Sequence, residues 1–490
     1  MLVRTARQTA LIAAALAMLA AAPLPLRAAD NANPPTATEA FYDRVTPSLV
    51  AVQFTYVGET LQKDFIVPGI VVDDQGLIMI PLSAVNDQIP DEQLQKFKII
   101  IPRQDADNEE IDAEFQGRDE RCDMAFVKPK ASTSTTAATK RSWTPIHFES
   151  VPSAVGDAVS SVGLLPKSAG YHTIYCPAVV SANLRGPVKQ VRVAGGGLAA
   201  PQAPVFNADG KAIGIVLYQP PAELDLDDDV KNQQQAISRL LASSASNRYF
   251  MPTSEFAIGL QSPPTPGHPI PLAWTGLPEQ LLSGLRKNDA ALFNLANQPA
   301  IQINDILPGS PAEKAGLQKK DIIIKYEGEA LERGDQPEEL PMILRHKLIQ
   351  RKPGEVVTFT VISGKDQPPH DVKVTLEPQP KRENLAQRYW SDDIGFGVRE
   401  MVLLDRYGLK LKKGDADGVL VTVLKEGSSA ASAGLHPYDM ITQVNGQPVT
   451  DLSTFKSAYE DLRRDHEHEA IVLVVHRGGG DETIRIEPPQ

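Results

Sequence analysis

Two stretches of this chain repeat each other, and they constrain its architecture more than any other feature. Ser310-Pro-Ala-Glu-Lys-Ala-Gly-Leu-Gln-Lys-Lys-Asp-Ile-Ile lies opposite Ser428-Ser-Ala-Ala-Ser-Ala-Gly-Leu-His-Pro-Tyr-Asp-Met-Ile. The offset is constant: 434 − 316 for the glycines and 439 − 321 for the aspartates both give 118. It continues without a gap to Glu327-Gly328 and Asn445-Gly446, each at the tip of a predicted hairpin. Two copies at this spacing describe tandem domains, because a solenoid repeats every ~20–50 residues. Each copy reads as a short capped helix. Ser310 or Ser428 accepts from the helix start, and Gly316 or Gly434 supplies the left-handed stop.

The rest of the chain is large enough for one more substantial unit, since 490 residues predict about three domains. An apolar share of 42% builds packed cores and excludes wholesale disorder. A formal charge of −12 argues against a nucleic-acid binder that neutralises phosphates. Two cysteines exclude a disulfide scaffold and a cysteine-based zinc module. From Phe41 to Leu260, short Val- and Ile-rich runs alternate with turn signals: Leu49–Tyr56, Gly69–Val72, Leu77–Ile80, Lys98–Ile101, Met124–Val127 and Ala212–Leu217. Such runs, bounded by Asp74-Gln75-Gly76 or Ala208-Asp209-Gly210, predict strands and hairpins of a large sandwich or barrel. The expected class is mainly β.

At the start, Arg4 and Arg7 precede the apolar run Ala10 to Ala22, and the small pair Ala28-Ala29 follows. That pattern predicts a secretory signal over 1–29 and an exported protein of the periplasm or cell envelope. An uncleaved anchor is the alternative, although the run is shorter than the ~20 residues of a membrane span. Five prolines in Gln261 to Pro271 predict a stiff linker. The expected organisation is a β domain over 30–260, a linker over 261–272, a first repeat over 273–378, a linker over 379–390 and a second repeat over 391–490.

The repeats resemble PDZ domains of the bacterial type, on the Ser-x-Ala-x-x-Ala-Gly-Leu-x-x-x-Asp-x-Ile signature. In the second copy, Ile394-Gly395-Phe396-Gly397-Val398 is similar to that family's carboxylate-binding loop. Gly395 and Gly397 let successive N–H groups converge on a carboxylate, while Phe396 and Val398 line an apolar pocket. The resemblance implies that an extended peptide adds beside Gly397 to Val402, with a helix from Leu452 to Leu462 closing the groove. In the first copy the counterpart is Trp274-Thr275-Gly276-Leu277, where Pro278 removes a donor that strand addition needs. Gly276 and Leu277 are therefore the weaker candidates, and in both copies a purely structural turn is the competing reading.

A β domain ahead of two such modules resembles the HtrA/DegP family of periplasmic serine proteases, which implies a trypsin-like double β-barrel. Against that family's motifs, the catalytic histidine falls on Ser83, within Val67 to Val85. The aspartate falls on Asp123 in Asp123-Met124-Ala125-Phe126-Val127-Lys128. The nucleophile falls on Pro201, in Ala199-Ala200-Pro201-Gln202-Ala203-Pro204-Val205. Serine is no general base near neutral pH, and proline has neither a nucleophile nor an N–H for an oxyanion. The nine histidines stand at 147, 172, 268, 346, 370, 436, 466, 468 and 476, all after Asp123. In that family's order the histidine precedes the aspartate, so no shift of register restores a triad. The sequence thus predicts an inactive homologue, a pseudoprotease, with Asp123 kept for hydrogen bonding to backbone or to a hydroxyl such as Ser83.

Other constellations are weaker. Glu223 to Val230 is acidic but lacks calcium-loop spacing. His466-Glu467-His468-Glu469 is too closely spaced for a helical metal site, and Ser132 to Thr139 is a polar loop. No metal or cofactor is expected. Pairing of Cys122 with Cys176 stays open at this stage. The expected role is a non-catalytic scaffold or regulator in envelope protein quality control. Its partners would be peptide C-termini, unfolded envelope proteins or an active paralogue, and the resemblance implies a homo-oligomer, commonly a trimer. The rivals are an active endopeptidase with a relocated triad built on His147 or His172, and a purely structural envelope protein.

Overall fold

The computed structural model describes residues 36–58, 61–85, 89–103, 106–130, 141–217, 247–295, 298–365, 367–411, 417–465 and 469–487. The expected signal, the Ser132 to Thr139 loop, the acidic stretch Glu223 to Val230 and the tripeptide His466-Glu467-His468 lie outside the described residues. Among the described residues, no helix is long and apolar enough to cross a membrane.

Alternating apolar runs close into two six-stranded barrels. The first consists of β1 (Leu49–Val57), β2 (Gln62–Val71), β3 (Ile78–Pro81), β4 (Leu94–Ile101), β5 (Glu109–Asp119) and β6 (Met124–Pro129), ordered β1-β2-β3-β6-β5-β4. Val50, Val52, Phe54, Ile78, Ile80 and Val127 point inward, as a period of two requires, and are all buried. The second barrel runs β7 (Ala158–Leu164), β8 (Thr173–Leu184), β9 (Gln190–Gly195), β10 (Pro204–Asn207), β11 (Ala212–Val216) and β12 (Tyr249–Pro252), ordered β10-β11-β12-β9-β8-β7. Closure leaves neither barrel an edge strand.

The two repeats form separate sheets with separate cores. In the first, β13 (Ala273–Trp274) pairs with β20 (Glu377–Pro378). The main sheet follows the order β14 (Leu282–Gly284), β15 (Ile301–Ile303), β16 (Ile322–Tyr326), β18 (Val356–Ile362), β19 (His370–Thr375), with β17 (Glu329–Ala330) beside β16. In the second, β21 (Arg388–Ser391), β22 (Phe396–Glu400), β23 (Val419–Leu424), β24 (Met440–Val444), β26 (Ile471–Arg477) and β27 (Gly480–Ile486) are neighbours in that order, and β25 (Gln447–Pro448) pairs with β24.

The local code of the repeats folds as read. Ser310 Oγ accepts from the Glu313 N–H at 3.3 Å, and Ser428 Oγ accepts from the Ala431 N–H at 3.2 Å. Gly316 and Gly434 take φ values of 87° and 85°. The pairs Glu327-Gly328 and Asn445-Gly446 all have positive φ, the signature of a tight hairpin turn.

Two features differ from expectation, and the open pairing of the cysteines is answered. The proline-rich stretch is not simply extended: it turns back at Thr265–His268, where the His268 N–H donates to the Thr265 carbonyl. The second sheet begins at Arg388, inside the segment read as linker. Cys122 and Cys176 are free. The Cys122 thiol is buried, donates to the Asp119 carbonyl, and is pushed well above its usual pKa, chiefly by burial and then by Asp119.

The first repeat is docked on the barrels through the turn after β5. Asp119, fully buried, holds Arg121 through three hydrogen bonds, two from the guanidinium and one from the N–H, and the Arg121 carbonyl accepts from Gln350 Nε2 at 2.6 Å. Glu120 pairs with Arg345 at 3.6 Å and with Arg382. From the second barrel, Glu255 meets His346 at 3.3 Å.

Candidate functional site

The segments that carry Ser83, Asp123 and Pro201, the positions the resemblance matches to a triad, are linked through their neighbours. β3 pairs with β6 so that Pro81 faces Met124, and this brings the one-turn helix Leu82–Val85, which carries Ser83, to the end of the barrel where Asp123 stands. The Leu82 N–H donates to the Asp123 carbonyl at 3.1 Å. Ser83 is exposed, and Asp123 is exposed with a φ of 57°. Across the interface, Pro201 is half-buried in the turn before β10. Its neighbour Gln202, buried at a φ of 67°, donates from Nε2 to Met124 Sδ at 3.3 Å and from N–H to the Val216 carbonyl at 2.8 Å.

The loop leading to Pro201 is tied down internally. Leu198 N–H donates to the Asn247 carbonyl, and Asn247 Nδ2 donates back to the Ala199 carbonyl, both at 2.7 Å. The Ala199 N–H donates to the Oγ of Ser161, a fully buried hydroxyl in β7, at 2.7 Å. A side chain at Gly163 would meet Ala199 Cβ at 2.7 Å and the Ala200 nitrogen at 2.8 Å, so the loop lies directly on β7. Ser161, Asn247 and Gln202 escaped the sequence reading. The pair Ser160-Ser161 inside the apolar run Ala158 to Leu164 was the available signal for Ser161. His147 and His172 are both exposed.

The second candidate site lies between β22 and the helix Leu452–Asp465. Asp451 accepts from the Thr454 N–H at 2.8 Å and starts that helix; Leu452, Phe455, Ala458 and Tyr459 repeat at helical spacing and are buried. Gly395 takes a φ of 73°, and a Cβ there would meet Ser428 Cβ at 2.6 Å. Its counterpart Gly276, at φ 85°, packs the same way on Ser310, where a Cβ would come within 2.0 Å. Phe396 and Val398 are buried, and Phe396 meets the Phe455 and Tyr459 rings edge-on. Leu277 is buried in the first core.

The edge of β22 expected to receive a peptide already carries a strand. β21 pairs antiparallel with it, Arg388↔Arg399, Tyr389↔Val398, Trp390↔Gly397 and Ser391↔Phe396. Tyr389 packs on Phe455 and Tyr459 with ring centres 5.9 Å from each. The Gly395 N–H donates to the Ser391 carbonyl at 3.0 Å. Tyr459 O–H donates to Asp393 Oδ1 at 2.7 Å and lies 2.6 Å from Ser391 Oγ; Arg463 pairs with Asp393 at 2.5 Å. Burial opposes the charge on Asp393, but the Ser391 and Tyr459 hydroxyls, Arg463 and the Ile394 N–H outweigh it and hold the carboxyl below the usual aspartate range. Burial, together with Asp393, pushes the Tyr459 phenol up. In the first repeat the corresponding edge belongs to β14 and is covered otherwise: a Cβ on Gly284 would meet the Pro337 carbonyl oxygen at 1.7 Å.

A family model described as PDZ domain matches residues 393–487, and a second PDZ domain model matches 302–362. The chain is similar to proteins described as "Probable periplasmic serine endoprotease DegP-like". The Marinomonas sp. protein is 27% identical over 260 residues, covering 53% of this chain and 48% of the relative. The Chlamydia pneumoniae protein is 30% identical over 207 residues, covering 41% and 38%. The Hahella chejuensis protein is 24% identical over 375 residues, covering 73% and 69%. The chain thus spans less than half the length of the first two. Among solved structures, HtrA-type protease AlgW with decapeptide aligns at 13% identity and a TM-score of 0.47, covering 70% of this chain and 98% of that one. The serine endoprotease from Yersinia pestis aligns at 15% identity and a TM-score of 0.43, covering 71% and 99%.

Proposed function

We propose, for a chain that belongs to the HtrA/DegP-type serine protease family with two PDZ domains, a role without peptide-bond hydrolysis. In this reading the barrels are a scaffold and the second PDZ domain binds peptide C-termini or unfolded polypeptides in the cell envelope. The observation that carries the first half is the Ala199–Ser161 hydrogen bond. In this mechanism the oxyanion is held by the N–H of the nucleophile and the N–H two residues before it. Here those positions are Pro201, which has no N–H, and Ala199, whose N–H is already engaged with Ser161. With serine at 83 and no histidine before Asp123, base, nucleophile and electrophilic assistance are absent together.

The peptide-binding half is supported by the loop around Gly395 and by the aromatic wall of Phe455 and Tyr459 beside β22. Purified full-length protein is expected to leave casein intact and to resist labelling by a fluorophosphonate serine probe, while binding peptides with free C-termini. Cleavage or labelling that survives replacement of Ser83 would point to the relocated triad and end the proposal. A side chain at Gly397 would meet Val423 at 2.9 Å and Thr422 at 3.2 Å and so distort the strand that a peptide would pair with, and Gly397→Val is expected to weaken peptide binding. The second reading, a structural envelope protein with closed grooves, draws on the strand lying in the groove. It predicts no change in any partner on that substitution.

A further inference from the structure

The groove of the second repeat is filled from within, and the filler has the features of a ligand. We propose that Arg388–Asp393 is an internal occupant of the peptide groove, and that an outside peptide enters only by displacing it in a strand exchange. This rests on reading the groove as peptide-binding and concerns how that groove is kept shut.

Three things make such a groove adhesive: an unpaired strand edge, an apolar wall and the N–H groups of the loop. The chain's own segment takes all three. β21 pairs along β22 and runs antiparallel to it, arriving at the loop with its C-terminal end, as an entering peptide terminus would. Tyr389 lies on the Phe455 and Tyr459 rings. The Ser391 carbonyl accepts the Gly395 N–H where a terminal carboxylate would sit, and the Asp393 carboxylate takes the Ile394 N–H and Arg463.

Two observations say that this occupant is removable. The first repeat builds its sheet without a strand at the matching edge, because β13 pairs with β20 instead. The domain type therefore does not need one there. β21 is also only four residues long, and Arg388, Tyr389 and Trp390 stay partly exposed, whereas Phe396 to Arg399 of β22 are buried. Glu400 anchors the base of the segment: its N–H donates to the Gln387 carbonyl, its carboxylate accepts the Gln387 N–H at 2.9 Å, and it pairs with Lys381 at 2.5 Å. The strand can detach while its root stays fixed.

A tethered strand competes at an effective concentration in the millimolar range. The apparent affinity for an outside peptide falls by the fraction of time the groove is open. The test uses the full chain and a fluorescein-labelled peptide Arg-Tyr-Trp-Ser with a free carboxylate, the β21 sequence ended where the loop begins, read by anisotropy. The double variant Tyr389→Ser, Trp390→Ser is expected to bind the probe about tenfold more tightly than the wild type. Equal or weaker binding by a folded variant overturns the internal occupant while leaving the peptide-binding reading standing. Binding by neither protein overturns both. If the variant does not fold, wild-type hydrogen exchange decides. Saturating probe should expose the amides of 388–391 while those of β22 stay protected, and unchanged protection at 388–391 overturns the proposal.

Discussion

The two repeats obey the same local rules and end up with different edges. Both place a glycine at positive φ on the N-cap serine. In both, the loop before that glycine accepts from the helix start, Ala312 N–H to the Thr275 carbonyl and Ala430 N–H to the Ile394 carbonyl. They part at the strands flanking the loop. In the first, the incoming strand leaves for β20, and the edge of β14 lies against Pro337. In the second, the incoming strand folds back on β22 and packs on the helix. Pro278 explains part of this: the residue after the loop cannot donate to a returning strand, and the chain makes a 3-10 turn over Glu279–Leu281 before β14 begins. Gly397, its counterpart, leaves the backbone free to pair. The capping code thus sets the domain, and the residue after the loop contributes to who occupies its edge.

The largest test of the shared part is a side chain at the loop glycine. Gly276→Val and Gly395→Val each combine left-handed strain with a clash into the cap serine, and each should cost its domain about 2–5 kcal/mol in urea unfolding. The first should suffer more, because its Cβ would come closer, 2.0 Å against 2.6 Å. Tolerance at either site would break the equivalence. Next comes Tyr459→Phe, which removes the hydroxyl shared by Ser391 and Asp393. It should destabilise the second repeat by about 1–2 kcal/mol, leave the first unchanged, and speed hydrogen exchange at 388–391. Ser310→Ala and Ser428→Ala should each cost about 1 kcal/mol, and equal losses would confirm that the caps are interchangeable.

The smallest effect is a pH dependence confined to the second repeat. Asp393 is faced by Arg463 and Tyr459 from the helix and by Ser391 from β21, with Asp392 beside it in the turn. Its folded pKa lies below the ordinary 3.8, so its contribution is complete above that value and is lost as pH falls through the folded value. Exchange at 388–391 should be insensitive to this group from pH 7 to 5. As pH falls below about 3.8 the difference between the wild type and Asp393→Asn should begin to shrink, and identical exchange in the two proteins at pH 7 would remove Asp393 from the closure.

What the sequence made legible was local. Caps, glycine stops and Asn-Gly or Glu-Gly hairpins depend on a few neighbouring residues, and alternating valines and isoleucines announce the barrel strands because one face of each is buried. The matching of Ser83, Asp123 and Pro201 to a triad rested only on family resemblance. β21 was missed because Arg388-Tyr389-Trp390-Ser391 is too short and polar to show a period, and its pairing partner is chosen by tertiary packing. Two adjacent aromatics inside a supposed linker were the clue. The Ser161 hydrogen bond was out of reach, since it joins residues 38 positions apart.

The turn Asp119–Asp123 has a consequence for how this molecule comes apart. Its first residues carry the first repeat, through Glu120 and the Arg121 carbonyl, and its last carries the helix of Ser83 through the Leu82 N–H. Five consecutive residues thus belong to two domains at once, with buried Asp119 as their common root. Melting either domain strips the other of a supporting wall, so barrel and first repeat are expected to unfold in one calorimetric transition, and two separated transitions would break the seam. The same five residues that end one barrel strand are thus the seam between the barrel and the first repeat.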